Sequence, residues 1–136
     1  MDCVFCKIVN KEIPTSLVFE DTKVVAFLDI NPAVPHGGHV LVVPKKHSLN
    51  LTDTSEEDLA AVIKVAKKIG SALMKEHDGV NIMQNNGKAA GQVVEHLHFH
   101  VIPRLANDGV HLGRWTNFKY EGDGMKKMQD KIKKLL

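Results

Sequence analysis

The segment His96-Leu97-His98-Phe99-His100-Val101 constrains the fold more than any other part of the chain. Side chains alternate between the two faces of a β-strand, so a strand here has three imidazoles on one face and three apolar side chains on the other. At a rise of about 3.3 Å per residue, successive imidazoles lie roughly 6.6 Å apart. The alternation therefore predicts a strand over residues 95–102, with one face in the core and the other lined by histidines.

Such a row of imidazoles has three explanations, namely catalysis, metal binding and chance. Partial protonation near neutral pH would set neighbouring imidazoles against one another, which makes an inert polar face a poor explanation. Ligands at positions i, i+2 and i+4 of a straight strand are too widely spaced to converge on one ion at about 2.1 Å. Catalysis is the favoured hypothesis, and a metal site made by all three histidines and a chance polar face stay open as alternatives.

Four further strands are predicted from shorter patterns. Residues 17–20 and 23–29 flank the two-residue turn Asp21-Thr22, which predicts a hairpin. The loop that follows is rich in Pro and Gly, and the β-rich run 39–43 comes after it and ends at a proline. Residues 80–85 give the last of these strands, before a Gly-containing loop over 86–92.

Two helices are predicted as well. The sequence Thr54-Ser55-Glu56-Glu57 indicates a capping box in which Thr54 caps the first turn and Glu57 reaches back. The helix that follows is expected to end at Asp78-Gly79, and a second helical pattern comes after the break at 122–124. The apolar positions are Leu59, Val62, Ile63, Ala66, Ile69 and Leu73 in the first helix, and Met125, Met128, Ile132 and Leu135 in the second.

These elements predict an α+β fold, a five-stranded antiparallel sheet with one long helix and a C-terminal helix. A chain of 136 residues that is 43% hydrophobic and 25% charged has the composition of a folded globular protein with one core. We expect the domain over residues 1–110. Residues 111–136 are expected to form an extension with a short helix packed on that domain.

Charge and hydropathy exclude several classes of partner. The formal net charge of +2 gives no broad nucleic-acid footprint. The basic cluster 126–134 is interrupted by Met128 and Ile132 at helical spacing, which favours a solvated helix face over a phosphate or RNA patch. No apolar run reaches the roughly 18 residues of a membrane span, and residues 1–6 are not typical of a signal peptide. We expect a cytoplasmic protein without nucleic-acid or membrane partners.

The stretch from Gly91 to Arg104 closely resembles the motif of the histidine triad family of nucleotide hydrolases and transferases. The resemblance continues in Gly38–His47 and Phe27–Pro32, and it covers most of the chain, with separate motifs in the same order. It implies a hydrolase that cleaves purine nucleoside phosphoramidates or related AMP-linked substrates through a nucleotidyl-histidine. It also implies a homodimer whose two sheets join edge to edge.

The resemblance implies a catalytic role for the three triad histidines. His98 takes the position of the nucleophile, and His100 lies beside the α-phosphate and helps to stabilise its charge. His96 is the first residue of the triad. Attack by His98 requires a free lone pair on Nε2, so its Nδ1–H must be held by an acceptor such as a backbone carbonyl.

A nucleotide site follows from the same resemblance. Asp29 matches the carboxylate that binds the ribose hydroxyls, although without the resemblance it would be interpreted as a strand-end cap. Asn85 and Gln92 match side chains near the phosphates, and Gly91 lets the loop backbone approach anionic oxygens. The apolar slot for the base corresponds to Phe5, Ile8, Phe27 and Ile30, residue types that are more often core.

Val93 is a departure from the family pattern, which commonly has Ser or Thr after the glutamine. A hydroxyl there can serve the phosphate or the leaving group, and valine has no side-chain donor. The backbone N–H of Val93 can still contact phosphate. Protonation of the leaving group must then come from water or from the leaving amine.

A zinc site is also implied. Cys3 and Cys6 have C-x-x-C spacing, and His47 and His96 match the two positions that complete such a site in zinc-binding members of the superfamily. Two cysteines and two histidines form a closed tetrahedral set, which is typical of structural rather than catalytic Zn²⁺. Zinc would fasten the N-terminal segment to the segment that carries His98.

Two other functions stay open. Pro103-Arg104 after the triad resembles the dinucleoside polyphosphate hydrolases, in which Arg104 could meet the extra phosphates. The missing hydroxyl at Val93 keeps a zinc-stabilised nucleotide-binding module with little catalysis as the other alternative. Trp115 and the segment 111–120 lie outside the resemblance, and either packing or contact with a partner's pocket would explain them. Four histidines are expected to be ordinary loop or surface residues: His36, His39, His77 and His111.

Overall fold

The computed structural model describes residues 2–113 and 115–136. It contains three α-helices and five strands: α1 (Val4–Val9), β1 (Leu17–Glu20), β2 (Val24–Leu28), β3 (Val40–Pro44), α2 (Glu56–Leu73), β4 (Gly79–Met83), β5 (Phe99–Arg104) and α3 (Gly124–Leu135). Two short 3-10 turns lie at Leu51–Asp53 and Lys88–Ala90. The predicted fold class is confirmed, and α1 is an addition that the sequence patterns did not indicate.

The strands form one antiparallel sheet in the order β1-β2-β3-β5-β4. Helix α2 packs on one face, where Val24, Val42 and Val101 meet Val62 and Ala66. Helix α1 covers the other face, since Phe5 packs with Val25, Phe27, Leu41 and Val43. Strands β2 and β3 are thus buried on both sides, which explains their nearly continuous apolar sequences. In the sheet His100 pairs with Leu41, a residue of the α1 side.

The histidine segment is only partly a strand. Strand β5 begins at Phe99, so the prediction of a strand from residue 95 is wrong for its first four residues. The ladder with β3 stops at the pair Val42 and Phe99. Before that point the chain lies outside the sheet, and the N–H of Leu97 donates to the carbonyl of Ser48. His96 and His98 nevertheless stay on the α1 side, because both rings pack edge-on against Phe5.

The start of α2 differs in detail from the prediction. Ser55, not Thr54, is the N-cap, and its hydroxyl accepts from the N–H of Asp58. Thr54 instead donates to the carbonyl of Asn50, and Glu57 pairs with Lys23. The helix ends at Leu73, five residues before the predicted Asp78-Gly79 boundary. Within the described residues, no helix combines the length and the apolar character that a membrane crossing requires.

Helix α3 differs from the rest of the molecule, because none of its residues is buried. Trp115 is 79% exposed. Arg114, which belongs to the segment 111–120 considered above, lies outside the described residues. The division of the chain at residue 110 stays a prediction. Because none of the residues of α3 is buried, the expected packing of the tail on the same domain stays a prediction as well.

Candidate active site

His98 is held in one tautomer by the backbone next to it. Its Nδ1 lies 2.7 Å from the carbonyl oxygen of His96. A carbonyl oxygen can only accept, so Nδ1 carries the proton and Nε2 keeps its lone pair. The side chain is 7% exposed, and its ring packs edge-on against Phe5 and His100 rather than among aliphatic side chains.

The surroundings of His98 keep it neutral. Burial lowers the pKa of this imidazole, and this effect outweighs the hydrogen bond to the His96 carbonyl and the charge of Asp29, which both raise it. A protonated imidazole has no lone pair with which to attack. The fold therefore presents a neutral nitrogen base with a defined tautomer, as nucleophilic catalysis by histidine requires.

His39 joins the triad, although we predicted no role for it from the sequence. The prediction of an ordinary loop or surface residue is wrong, because His39 is buried and its Nε2 lies 2.9 Å from Nδ1 of His100. The N–H of Ala33 donates to Nδ1 of His39 at 3.0 Å. Nδ1 of His39 is therefore an acceptor and Nε2 carries the proton, which it donates to His100. By the same reasoning His100 carries its own proton on Nε2.

The pKa values of this pair agree with a neutral chain. Burial, followed by the nearby His98 and His39, lowers the pKa of His100 to about 4. Burial also lowers the pKa of His39, although Asp29, with Oδ2 3.8 Å from Nε2, acts in the opposite direction. A neutral His100 with a proton on Nε2 can donate a hydrogen bond to an anionic oxygen. The one hint in the sequence was that His39 directly precedes the apolar run 40–43.

Asp29 lies where β2 ends. Its Oδ1 accepts from the N–H of Asn31 at 2.8 Å, so the strand-end interpretation accounts for one oxygen. The other oxygen faces His39. Asp29 also lines a cavity of about 460 Å³ with Ser16, Leu28 and Ile30. One carboxylate oxygen is thus available beside a cavity on the surface of the molecule.

The loop before the histidines has a tightly bonded interior. Gln92 is buried, its Nε2 donates to the carbonyls of Leu49 and Val94, and its Oε1 accepts from the N–H of Gly87. This side chain holds the loop together, so the expectation that it serves phosphate is not supported by its hydrogen bonds. Gly91 has a φ of 90°, a backbone angle that residues with a Cβ rarely adopt.

Asn85 and Val93 lie at either side of this loop. Asn85 is half-buried, and its Nδ2 lies 3.7 Å from the position that a Cβ on Gly91 would take. Val93 is 90% exposed and lines a cavity of about 580 Å³ together with Leu49, Val94 and Glu95. The residue that departs from the family pattern therefore borders open space.

Of the four apolar residues expected to form a base slot, three lie in one cluster and Ile30 lies apart from them. Phe5 and Phe27 are buried and pack edge-on with centroids 5.5 Å apart, and Ile8 lies against the same cluster. Ile30 is 90% exposed beside Asp29. Phe5 and Phe27 are thus core residues, and Ile30 is the member of the set that faces solvent.

The four residues of the predicted zinc site do come together. The donor atoms of Cys3, Cys6, His47 and His96 all lie within 4.8 Å of one another. Nδ1 of His96 lies 3.4 Å from Sγ of Cys3 and 3.6 Å from Sγ of Cys6. It also lies 3.2 Å from Nδ1 of His47. Ligands of tetrahedral Zn²⁺ lie roughly 3.3–3.8 Å apart, so these distances fit the edges of such a site.

Helix α1 and the hydrogen bonds of His96 explain this arrangement. Cys3 is the N-cap of α1 and Cys6 lies in its first turn, which places both thiols on one side. Nε2 of His96 lies 2.8 Å from the carbonyl of Pro44, so it carries the proton and Nδ1 has a free lone pair. Burial and Cys3 raise the pKa of Cys6 to about 11, and a bound cation would reverse this shift. The donor set fits a structural metal.

Arg104 uses its side-chain donors within the fold. Its guanidinium donates twice to Asp108, once to Asn81 and once to the carbonyl of Val110. The pKa of Asp108 is held well below its usual range, first of all by this hydrogen bond with Arg104. The arginine fastens the turn after β5 to β4, and the suggestion that it meets extra phosphates is not supported by its contacts.

The remaining histidines lie away from the triad. His36 and His111 are exposed, as expected, and Nε2 of His36 donates to the carbonyl of Pro103 at 2.9 Å. His77 is half-buried, and its Nδ1 donates to the carbonyl of Leu73 at 2.8 Å. Both bonds are made to backbone carbonyls, which gives these two side chains a structural explanation.

Comparison with known proteins places this geometry in context. The model of the HIT domain family matches residues 10–107. The chain is 37% identical over 141 aligned positions to the adenosine 5'-monophosphoramidase HNT1 of Candida albicans, and the alignment covers 98% of this chain and 91% of that protein. The family match leaves out Cys3, Cys6 and most of the segment after β5.

Solved structures agree over a longer range. A crystal structure of a member of the HIT family of proteins from Bacillus subtilis superposes with a TM-score of 0.90 at 36% identity, covering 100% of this chain and 98% of that one. A Zn-bound histidine triad family protein from Mycobacterium smegmatis superposes with a TM-score of 0.77 at 36% identity, covering 100% and 99%.

Proposed function

Because this chain belongs to the HIT domain family, we propose that it is a nucleotide hydrolase that cleaves purine nucleoside phosphoramidates or related AMP-linked substrates. The observation that carries the proposal is the tautomer of His98, whose Nδ1–H is held by the His96 carbonyl so that Nε2 is free. The name of the Candida albicans relative supports a phosphoramidate as substrate.

The first step forms a covalent intermediate. Nε2 of His98 attacks the α-phosphorus, the P–N bond to the leaving amine breaks, and its electron pair stays with the amine. Since Val93 offers no side-chain proton, the amine takes its proton from water. In the second step water is the nucleophile and His98 is the leaving group. Water attacks phosphorus, the bond between phosphorus and Nε2 breaks, and the nucleotide leaves. Both steps together restore His98 to its neutral form.

His100 stabilises the phosphoryl group during both steps. Its Nε2–H is a neutral donor whose orientation is set by the bond from His39 to Nδ1. A donor fixed in advance toward developing charge lowers the barrier without reorganisation during the reaction. The backbone of the loop at Gly91 and Val93 adds N–H groups. Asn85 lies at the same loop and is proposed to contact the phosphates.

The nucleoside is proposed to bind beside Asp29. The carboxylate oxygen that Asn31 does not use accepts from the ribose hydroxyls. Ile30, exposed in the adjoining cavity, gives the base an apolar surface. Phe5, Ile8 and Phe27 support this region from the core.

Zn²⁺ is the proposed structural cofactor, held by Cys3, Cys6, His47 and His96. The Zn-bound Mycobacterium smegmatis protein supports this assignment. When bound, the ion supplies a fixed tetrahedral centre and takes no part in the chemistry. The backbone of His96, which holds the proton of His98, would thereby be fixed in place.

A homodimer is proposed as the working form. Strand β4 lies at the edge of the sheet, and among the described residues its only partner is β5. A groove of about 290 Å³ beside this edge is lined by Ile63, Met74, Val80 and Ile82. An exposed strand edge next to apolar side chains is suited to pairing with a second copy. A cytoplasmic location stays a prediction.

The decisive experiment is rapid-quench mass spectrometry of the protein with an adenosine phosphoramidate. We expect an adenylyl adduct on the peptide that contains His98, and a loss of turnover of roughly 10⁴-fold or more in His98→Asn. His111→Asn, at an exposed histidine, serves as the matched control and should keep full turnover. Full turnover in His98→Asn would exclude the mechanism.

The two other functions are outcomes of related measurements. Faster turnover of a diadenosine polyphosphate than of the phosphoramidate would favour the polyphosphate hydrolase. Arg104 gives that function no support, since its donors are used within the fold. Tight binding of AMP without turnover of either substrate would favour the zinc-stabilised binding module.

A further inference from the structure

The two cysteines of the chain, Cys3 and Cys6, lie close enough to react with each other. Cys3 is the N-cap of α1, and the N–H of Cys6 donates to its Sγ at 3.4 Å. Both are free thiols, and their sulfur atoms lie within 4.8 Å of each other. The chain has no other cysteine, so this pair is where a disulfide can form within one molecule.

Closure of this disulfide requires only a local movement. Both thiols belong to the start of α1, a helix of six residues, so rotation of two side chains and adjustment of one turn bring the sulfurs together. The C-x-x-C spacing is also that of dithiol pairs in redox proteins. The two histidines of the cluster come from other parts of the chain and take no part in this movement.

A small oxidant can reach the pair from solvent. Cys6 is half-buried, whereas Cys3 is buried. Cys3 and His47 also line the cavity of about 580 Å³ that extends to the exposed Val93. Oxidation of cysteine depends on the thiolate form and on access to solvent. The first reaction is therefore expected at Cys6, with Cys3 behind it as the thiol that closes the disulfide.

Oxidation of the pair would remove half of the metal ligands. Cysteine binds a metal as a thiolate, and a disulfide has no thiolate to offer. Only His47 and His96 would remain of the four donors, whereas a structural Zn²⁺ site holds four. Formation of the disulfide and binding of the ion therefore exclude each other.

The loss of the ion would reach His98 through His96. Nδ1 of His96 faces the two thiols, and the backbone carbonyl of the same residue accepts the Nδ1 proton of His98. Without the ion, the ring of His96 keeps the bond from its Nε2 to the carbonyl of Pro44 but loses its tetrahedral centre. The carbonyl that orients His98 is then less firmly fixed, and a small displacement of a nucleophile lowers the rate of attack.

We propose that Cys3 and Cys6 form a reversible redox switch, in which oxidation to a disulfide releases Zn²⁺ and slows the hydrolase. This inference rests on the proposed function and deepens it by adding its regulation. The oxidant is a peroxide, and a dithiol that reduces the disulfide restores the zinc site.

The reaction has two steps that balance. The thiolate of Cys6 attacks one oxygen of hydrogen peroxide, the O–O bond breaks and hydroxide leaves, which gives a sulfenic acid on Cys6. The thiolate of Cys3 then attacks this sulfur, the S–O bond breaks and a second hydroxide leaves. The two sulfurs together lose two electrons, the peroxide gains them, and both hydroxides take protons from water. Zinc leaves as Zn²⁺ without a change of oxidation state.

The test treats the full-length protein, purified with its zinc, with hydrogen peroxide. We expect release of about one Zn²⁺ per chain, measured with a colorimetric chelator. The peptide with both cysteines should be about 2 Da lighter than after reduction with dithiothreitol, as a disulfide requires. Turnover of an adenosine phosphoramidate should fall about 10-fold, the size typical for loss of support to a site residue, and should return with dithiothreitol and zinc.

Two variants separate the disulfide from other oxidative damage. Cys6→His and Cys3→His each keep four nitrogen or sulfur ligands around the site but cannot form the disulfide. In both, zinc content and turnover after peroxide should equal those of the same variant before treatment. Zinc release at the rate of the unmodified protein in either variant would overturn the proposal.

The unmodified protein gives further ways to overturn the proposal. Zinc that stays bound after peroxide, cysteines that become sulfinic acids without a disulfide, or a purified protein without zinc would each contradict it. Release of zinc with unchanged turnover would remove the link to His98 and contradict it too. Zinc release and the disulfide are measured without substrate, and adduct formation at His98 is measured in untreated protein. Failure of the switch is therefore distinguishable from failure of the proposed hydrolase.

Discussion

Two histidines of the same segment, His96 and His98, are held in opposite tautomers. His96 donates from Nε2 to the carbonyl of Pro44 and turns Nδ1 toward two thiols and His47. His98 donates from Nδ1 to the carbonyl of His96 and keeps Nε2 free. Both are buried, and burial lowers the pKa of each. The chemistry of each imidazole is thus decided by which of its nitrogens the backbone occupies.

The two clusters differ in whether they are closed. The metal cluster has four donors around one point, which leaves no open position for a substrate. The triad cluster is a chain from the N–H of Ala33 through His39 to His100, with an unused proton at its end and a free lone pair on His98 beside it. The first arrangement is suited to holding the fold, and the second to meeting a phosphoryl group. The two clusters meet at the backbone of His96.

Of the changes that separate the two clusters, removal of the thiols should have the largest effect. In Cys3→Ser/Cys6→Ser we expect zinc content to fall from one ion per chain to none, and the free energy of unfolding to fall by several kcal/mol, because binding of a structural metal is coupled to folding. Turnover should fall about 10-fold, since the carbonyl of His96 loses its anchor. Elemental analysis, thermal unfolding and steady-state kinetics check these outcomes.

A chelator on the unmodified protein provides the control for that prediction. It should reproduce the loss of stability, and added zinc should restore it. Unchanged stability in the double variant would show that the cluster is not structural.

Breaking the His39–His100 bond should affect the triad alone. His39→Leu removes the donor to Nδ1 of His100, and we expect kcat to fall roughly 10- to 100-fold with zinc content unchanged. The loss of His39, one of the groups that lower the pKa of His100, should also move the acid limb of the rate profile to higher pH. His39→Gln keeps an N–H donor and should recover part of the activity. Equal loss in both variants would argue for packing rather than donation.

The smallest expected effect is a loss of folding stability when the pH is lowered. Because the folded pKa of His100 is lowered from 6.5 to about 4, the unfolded chain binds more protons between these values. Stability is therefore fully present above about pH 6.5 and is lost as the pH falls toward 4. Between pH 7 and pH 5.5 we expect His100 by itself to contribute a loss of at most about 1 kcal/mol, which thermal unfolding can measure.

Two variants show whether that loss comes from His100. His100→Asn should reduce the fall without abolishing it, because burial also lowers the pKa of His39, His96 and His98, and His111→Asn, at an exposed position, should leave the fall unchanged. The same slope in all three proteins would assign the pH dependence to other groups.

The alternation of the histidine segment and the apolar runs of β2 and β3 determined the main architecture. Period-2 and period-3.6 patterns are local, and each predicts which face of its element is buried. The spacing of Cys3 and Cys6, together with the family motifs, indicated the four residues that come together as a possible metal site. The tail was visible as a helical pattern, but the sequence did not say what that pattern would pack against.

Only the tertiary structure decided the tautomers and the membership of the triad. His39 entered it because β3 and β5 pair Val40 with Val101 and Leu41 with His100, a register that no local pattern contains. Gln92 and Arg104 use their side-chain hydrogen bonds on residues that lie near them only after folding. Hydrogen-bond partners come from distant parts of the chain, so the role of a polar side chain depends on packing, whereas the face that an apolar residue buries is already set by its position in the sequence.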